Sequence, residues 1–231
     1  GLQRVPTPRA LETAEIPAIV EQYRHAAHCA QQAGFDGVEI HSANCYLLEQ
    51  FIRDATNHRS DRYGGGIENR TRLVLEVVEA VTAIWGGDRV GIRLSPVTPS
   101  AGNTPMDSDV MATYGYLIEQ LNRFGLAYLH FVEGATRDSR EIPAPADLQK
   151  LRALFKGPYM ANNLYTAELA YQARKNGSAD LVCFGRPFIA NPDLVARLKA
   201  GAELAEAPRE TWYGGDERGY TDWPTLGASQ P

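Results

Sequence analysis

Apolar positions along the 231-residue chain alternate between helical and extended spacing. Over residues 13–33, Ile16, Ile19, Val20, Tyr23, Ala27, Ala30 and Ala33 recur at steps of three and four, which predicts a helix. Thr13 is placed to cap it, Pro17 fits its first turn, and Gly34 stops it. Val38–Ile40 follows as a short strand, and Leu47–Ile52 reads as a short buried helix. After a DRYGGG turn at 61–66, Glu68–Trp85 is strongly helical, with Leu73, Val74, Val77, Val78, Val81 and Ile84 on one face. Val90–Leu94 is a second strand, ended at Ser95-Pro96, where the proline blocks further ladder pairing. A loop rich in Pro, Ser, Gly and Asn at 97–107 leads to a helix, Ser108–Phe124, and a third strand, Leu126–Val132. Beyond a polar loop at 133–146, the pattern predicts a helix at Ala146–Phe155 and a strand at Tyr159–Ala161. A helix at Thr166–Asn176, a strand at Asp180–Phe184 and a helix at Phe188–Lys199 then precede a Gly- and Tyr-rich tail.

Strands that are apolar throughout, alternating with helices at intervals of roughly 25 to 50 residues, indicate βα units on a parallel sheet buried on both faces. Five strands are legible. A closed (β/α)8 barrel needs eight and takes about 250 residues. The fold is therefore either an open doubly wound sheet or most of a barrel without its first part.

Composition narrows the chemistry. The chain is 44% hydrophobic and 22% charged, as in ordinary soluble domains, and its formal net charge is -5 with both signs interspersed. No basic stripe points to nucleic acid and no polybasic or long apolar segment to a membrane. The start, GLQRVPTPRA, has neither an apolar signal-peptide core nor an initiator Met, which fits a processed or cut chain. Cys29, Cys45 and Cys183 are odd in number and widely spaced, which argues for a reducing, cytoplasmic setting without a disulfide framework. They show no zinc-ligand spacing with the five histidines.

Candidate chemistry concentrates in GVEIHSANCY, residues 37–46. In parallel α/β proteins the carboxyl ends of strands face the active-site mouth. Val38–Ile40 delivers His41 and Asn44, which can both donate to a carbonyl oxygen, and Tyr46, whose phenol can give up a proton. Each has a plain alternative: a core histidine, a helix-capping asparagine, a packing aromatic. Arg93, flanked by Ile92 and Leu94, must be paired or face a barrel interior, where a fixed cation suits an anionic ring edge; a salt bridge to Glu39 or another strand carboxylate is the competing reading. After the last strand, Phe184-Gly185-Arg186 can cradle a phosphate, with Asn191-Pro192-Asp193 opening or continuing the helix beyond. Asn162, Asn163 and Leu164 end the strand before. The plain reading of Gly185-Arg186 is a helix cap with a surface arginine.

Six stretches together resemble the old yellow enzyme family of FMN-dependent ene-reductases, particularly its bacterial branch acting on nitroesters and other xenobiotics. They are GFDGVEIHSANCYLLEQFIRD (34–54), DRYGGGIENRTRLVLEVV (61–78), RVGIRLSP (89–96), LAYLHF (126–131), ADLVCFGRPFIANPDL (179–194) and YGGDERGYTDWP (213–224). The resemblance implies a (β/α)8 TIM barrel of which this chain supplies about five βα units, as the C-terminal part of one FMN-binding domain. It implies FMN reduced by NAD(P)H and reoxidised by an electrophilic small molecule: an activated alkene, nitro compound, nitrate ester or quinone. His41 and Asn44 would then bind the substrate oxygen, and Tyr46 would protonate Cα as flavin N5 delivers hydride to Cβ. Arg93 would contact the flavin pyrimidine edge, and Asn162, Asn163, Leu164, Gly185 and Arg186 the FMN phosphate. Tyr213 would line the substrate pocket.

Asn69 and Arg70 read as structural anchors, His130 as an interior group, and Trp212 and Trp223 as packing in the tail. Three departures from the family pattern stand out. Cys45 replaces a glycine, so the loop there is expected to avoid a glycine-only backbone angle. Gly66 replaces a serine, which loosens a cap. Asn162-Asn163 replaces a glycine-containing turn, though Asn tolerates left-handed angles. The first third of the barrel has no counterpart, so a separate N-terminal fragment is expected to complete it. The competing functions are a non-redox phosphate-binding barrel lyase or isomerase using His41, Glu39 and Tyr46, and an inactive truncated fragment.

Overall fold

The computed structural model of the protein describes residues 7–99, 105–136, 138–214 and 216–227. It resolves into two compact units, Gly1–Leu164 and Tyr165–Pro231. The middle of the loop read at 97–107, residues 100–104, lies outside the described residues.

The first unit holds four parallel strands: β1 (Val38–Ser42), β2 (Val90–Leu94), β3 (Tyr128–Val132) and β4 (Tyr159–Asn162). Its helices are α1 (Ile16–Gln32), α2 (Leu47–Ile52), α3 (Ile67–Trp85), α4 (Val110–Leu121) and α5 (Leu148–Ala153). Register places His41 opposite Arg93, Arg93 opposite His130, and His130 opposite Met160. Because side chains alternate along a strand, these four share one face, with Glu39 and Tyr128 two residues earlier on it. The other face carries Ile40, Ile92, Leu129, Phe131 and Ala161, all buried. The strands are thus apolar on one face only. The polar face of β1 carries Glu39 and His41, both only partly buried, and the expectation of strands apolar throughout fails there.

Leu73, Val74, Val77, Val78 and Val81 of α3 are buried as their spacing predicts. Trp85 Nε1 donates to the Ala27 carbonyl of α1 at 2.9 Å, locking the two helices together. Thr13 does not cap α1. It lies in a 3-10 turn, Thr13–Glu15, whose capping box is made by Glu12 and Glu15, while the Thr13 hydroxyl donates to Asp61. Asp109 caps α4 instead, accepting from Ala112 N–H at 3.0 Å, which shortens the helix expected from Ser108.

Gly66 is the N-cap of α3, in extended backbone (φ -65°, ψ 159°), and offers no side-chain acceptor. A Cβ there would meet nothing within 4 Å. Gly66→Ser is therefore expected to stabilise the protein by a few tenths of a kcal/mol, up to about 1, because its hydroxyl can accept an orphan N–H of the first turn. Thermal melting checks this, and Gly66→Ala, which adds the Cβ without the acceptor, should show no gain.

The second unit contains β5 (Leu181–Cys183) with α6 (Ala167–Lys175), α7 (Arg186–Ala190) and α8 (Leu194–Ala200). The helix expected over Phe188–Lys199 is two helices. Pro192 lacks an N–H and drives the preceding residue out of the helical region, and Asn191 sits at φ -133°, ψ 82°. Its fully buried amide makes the break a fixed corner, donating to Pro187 and Ala205 carbonyls and accepting from Ala205 N–H.

Candidate functional site

At the carboxyl end of β1 the chain leaves the sheet through Ala43, turns at Asn44 and Cys45, and enters α2 at Tyr46. Asn44 and Cys45 both take left-handed angles, φ 55° and 59°. The expectation that Cys45 would escape a glycine-only angle is thus overturned. Consecutive left-handed non-glycine residues cost roughly 1–2 kcal/mol each, and local hydrogen bonds have to outweigh that. Cys45 N–H donates to Glu49 Oε2 at 2.5 Å, and the Cys45 carbonyl accepts from Gln50 Nε2 at 2.7 Å.

The turn brings His41 and Tyr46 together, with ring centroids 5.3 Å apart and planes tilted by 51°. Tyr46 is 63% exposed and so is not a packing aromatic within the first unit. Nor does Asn44 cap α2, whose N-cap is Tyr46. Instead Asn44 N–H donates to Ser95 Oγ at 2.7 Å, and its amide oxygen accepts from Thr136 Oγ1 at 2.9 Å. With that oxygen engaged, the amide nitrogen is left as the donor end. Burial pushes the His41 imidazole below its usual pKa, and the Arg93 charge adds to the effect. At neutral pH His41 is therefore an uncharged hydrogen-bond donor.

On the same sheet face, Arg93 Nη2 donates to Asn162 Oδ1 at 2.8 Å. The competing salt bridge from Arg93 to Glu39 is not the one formed. Glu39 Oε2 lies 2.8 Å from His130 Nδ1, and Tyr128 adds a further hydrogen bond to the carboxylate. Burial works to raise the Glu39 pKa, but His130, Tyr128 and Arg93 outweigh it and hold the group below the usual range. Gly91 makes room for this arrangement, since a Cβ there would sit 2.2 Å from the Tyr128 ring. Two buried nitrogens on this face, Arg93 Nε and His130 Nε2, have no hydrogen-bond partner among the described residues.

Asn163 and Leu164 follow β4 with φ 104° and 53°. Asn163 is buried, and its amide nitrogen donates to the carbonyls of Glu133, Ala135 and Ser139 at 2.7, 3.0 and 3.0 Å. Its side chain is thus committed to the 133–139 loop. Leu164, 43% exposed, holds a left-handed angle without burying its side chain.

In the second unit, Gly185 precedes α7, and a Cβ at Gly185 would meet nothing within 4 Å. Among the described residues, no close approach requires a glycine there. The Arg186 guanidinium lies over the Trp212 ring, 5.5 Å from its centroid. Trp212 Nε1 donates to the Ala207 carbonyl and Trp223 Nε1 to the Gly219 carbonyl, so both indoles fasten the tail. Tyr213 is 72% exposed.

The most consequential group that sequence reasoning passed over is Glu49. It is fully buried and is held by the equally buried Arg53 at 3.0 Å, Ser95 Oγ at 2.6 Å and the Tyr114 phenol at 2.9 Å. Burial, and then the Glu49 charge, raise the Tyr114 pKa well above its ordinary value, so that phenol stays a neutral donor. The available signal was a charged pair spaced four apart in LLEQFIR, among the apolar Leu47, Leu48, Phe51 and Ile52.

The sequence matches the NADH:flavin oxidoreductase / NADH oxidase family over residues 2–205. Among curated relatives, it is 47% identical over 222 residues to a putative 12-oxophytodienoate reductase 11 of Oryza sativa subsp. japonica, covering 95% of this chain and 60% of the relative. It is 43% identical over 225 residues to 12-oxophytodienoate reductase 2 of Arabidopsis thaliana, covering 96% and 60%. Among solved structures, morphinone reductase aligns with a TM-score of 0.91 at 48% identity, over 98% of this chain and 60% of that one. Morphinone reductase in complex with tetrahydroNAD aligns with a TM-score of 0.89. The chain spans about 60% of the length of these relatives.

Proposed function

Because this chain belongs to the NADH:flavin oxidoreductase / NADH oxidase family, we propose that it forms the catalytic face of an FMN-dependent, NAD(P)H-driven reductase of activated alkenes, nitro compounds or nitrate esters. Its fold class is the (β/α)8 barrel, of which it supplies five βα units, and the open doubly wound sheet is set aside. The observation that carries the reading is the His41–Asn44–Tyr46 cluster, raised on one strand end beside the Arg93 row of the same sheet face.

The residues fit FMN. Arg93, whose buried Nε has no partner among the described residues while its Nη2 donates to Asn162, would offer a donor and a positive charge to the acceptor-rich flavin ring. Each unit, taken by itself, has a feature that would suit a phosphate: the left-handed backbone at Asn163–Leu164 in the first, and in the second Gly185, where a Cβ would meet nothing within 4 Å, followed by Arg186. When bound, FMN supplies the hydride chemistry at N5. The chain's own residues handle the substrate. Neutral His41 and the Asn44 amide nitrogen donate to the carbonyl or nitro oxygen, and these bonds strengthen as negative charge develops there. Tyr46, at the mouth, gives its phenolic proton to the carbon alpha to the carbonyl.

β1 is the edge strand of the first unit, with no strand paired on its outer side among the described residues. In this reading an N-terminal fragment completes the barrel there, and intact-mass analysis of active material should show whether those strands lie on a second polypeptide. Among the described residues no helix is long and apolar enough to cross a membrane.

The deciding experiment is anaerobic: reduce the FMN-loaded protein with NAD(P)H, add 2-cyclohexenone, and follow flavin reoxidation together with cyclohexanone formation. Absence of flavin binding, or of product, would refute the proposal. His41→Ala is expected to weaken binding of a phenol, whose oxygen mimics the developing enolate, by about 10- to 100-fold, the range for a hydrogen bond to a charged group. Unchanged affinity would count against His41. Because the His41 pKa is lowered, any change of enone affinity on its protonation should have its midpoint at lower pH than for an ordinary imidazole.

A further inference from the structure

The proposed chemistry requires His41, Asn44 and Tyr46 to aim at one oxygen and one carbon, and the Asn44–Cys45 turn between them sets that aim. Two left-handed residues in succession do not hold themselves in place. Both of their N–H groups lead to the same carboxylate. Cys45 N–H donates to Glu49 Oε2 directly at 2.5 Å. Asn44 N–H donates to Ser95 Oγ at 2.7 Å, and Ser95 Oγ donates to Glu49 Oε1 at 2.6 Å. Glu49 is fixed in turn by Arg53 and Tyr114, and Arg53 Nη2 also reaches the carbonyls of Ser95 and Thr98 at 3.0 and 2.9 Å. Every side chain in this cluster is fully buried. A surface network can drift, but a dry one of this kind holds its geometry.

We propose that Glu49, with Ser95 as its relay, is a positioning residue: it fixes the Asn44–Cys45 turn so that His41 and Asn44 meet the substrate oxygen while Tyr46 faces the carbon to be protonated. Glu49 touches neither substrate nor cofactor. This inference rests on the ene-reductase reading above. It assigns a buried carboxylate to substrate geometry and predicts that cutting the relay harms oxygen recognition without harming cofactor binding.

The test uses the complete FMN-loaded protein. Ser95→Ala cuts the Asn44 branch, takes one donor from Glu49, and leaves Glu49 its partners Arg53, Tyr114 and the Cys45 N–H. Its expected signature is a loss of phenol affinity and of enone kcat/KM by roughly 5- to 30-fold, the worth of one lost buried hydrogen bond. FMN content should be unchanged, as should reoxidation by ferricyanide, a one-electron oxidant that needs no oxygen recognition. Glu49→Gln, which keeps the shape but loses the charge, should exceed Ser95→Ala in the enone reaction and still spare ferricyanide. If Glu49→Gln fails to fold, Ser95→Ala alone decides. Enone and phenol values within twofold of wild type in Ser95→Ala, or equal losses with enone and ferricyanide, would overturn the inference. A wild-type protein that binds FMN but leaves enone untouched would defeat the parent reading and this one with it. Active wild type with unaffected variants defeats only this one.

Discussion

Tyr46→Phe is expected to slow enone reduction per bound FMN by about 10²- to 10⁴-fold, the usual contribution of a positioned general acid. Reduction of the flavin by NAD(P)H should change by less than about threefold. The substitution removes one hydroxyl from a side chain that is 63% exposed and leaves the aromatic ring that lies 5.3 Å from His41. Folding and cofactor content should therefore be preserved, and the loss should fall on the proton-transfer step. A quinone substrate sharpens the comparison, because its protons go to oxygen and water can supply them. Stopped-flow kinetics of the two half-reactions, with enone and quinone as alternative oxidants, would show a loss confined to enone. Equal loss in both half-reactions, or with both oxidants, would remove Tyr46 from the acid role.

What the sequence made legible and what it hid follow from the range over which each signal acts. Helical periodicity located α1 and α3, and the β1–α2 transition was visible because His41, Asn44 and Tyr46 break an apolar run within ten residues. Local chemistry of that kind survives in one dimension. The capping residues were harder, since Thr13 resembles a cap in sequence yet spends its hydroxyl on Asp61, forty-eight residues away. Asn191-Pro192-Asp193 reads in sequence as opening or continuing the last helix, and the break found there is held by the Ala205 contacts across the corner. The backbone angle at Cys45 was misread because the compensation for a left-handed cysteine comes from Glu49 and, beyond it, from Ser95 on the next strand end. The spacing of Glu49 and Arg53, four apart on a helix, is also that of a solvated surface pair. Only burial distinguishes such a pair from a dry one, and burial is a property of the assembled sheet and helices.

Arg70→Met should produce a large stability loss, about 3–5 kcal/mol, because it leaves a buried carboxylate without its cation. Arg70 Nη1 contacts Asp107 Oδ2 at 2.5 Å, with both side chains nearly free of solvent. The same guanidinium donates to the Ile52 carbonyl at the end of α2, to the Gly65 carbonyl at 3.1 Å before α3, and to Thr113 Oγ1 at 3.2 Å on α4. One planar group thus joins four segments of the first unit, and methionine fills much of its volume while satisfying none of its acceptors. Asp107 would keep its bonds from Asp54 N–H, Asp109 N–H and Thr113 Oγ1, so the local turn survives while the charge goes uncompensated. At about 2–4 °C per kcal/mol for a chain of this size, the midpoint of thermal unfolding should fall by roughly 10 °C. Arg70→Lys should recover little, since a single ammonium cannot reach four directions at once. Neither variant alters a group that meets the substrate, so enone kcat/KM per folded, FMN-loaded molecule should stay within about twofold at temperatures well below the midpoint. A midpoint within 2 °C of wild type would mean that water or a rearranged side chain satisfies Asp107, and the arginine would then be an incidental partner rather than the tie between these helices.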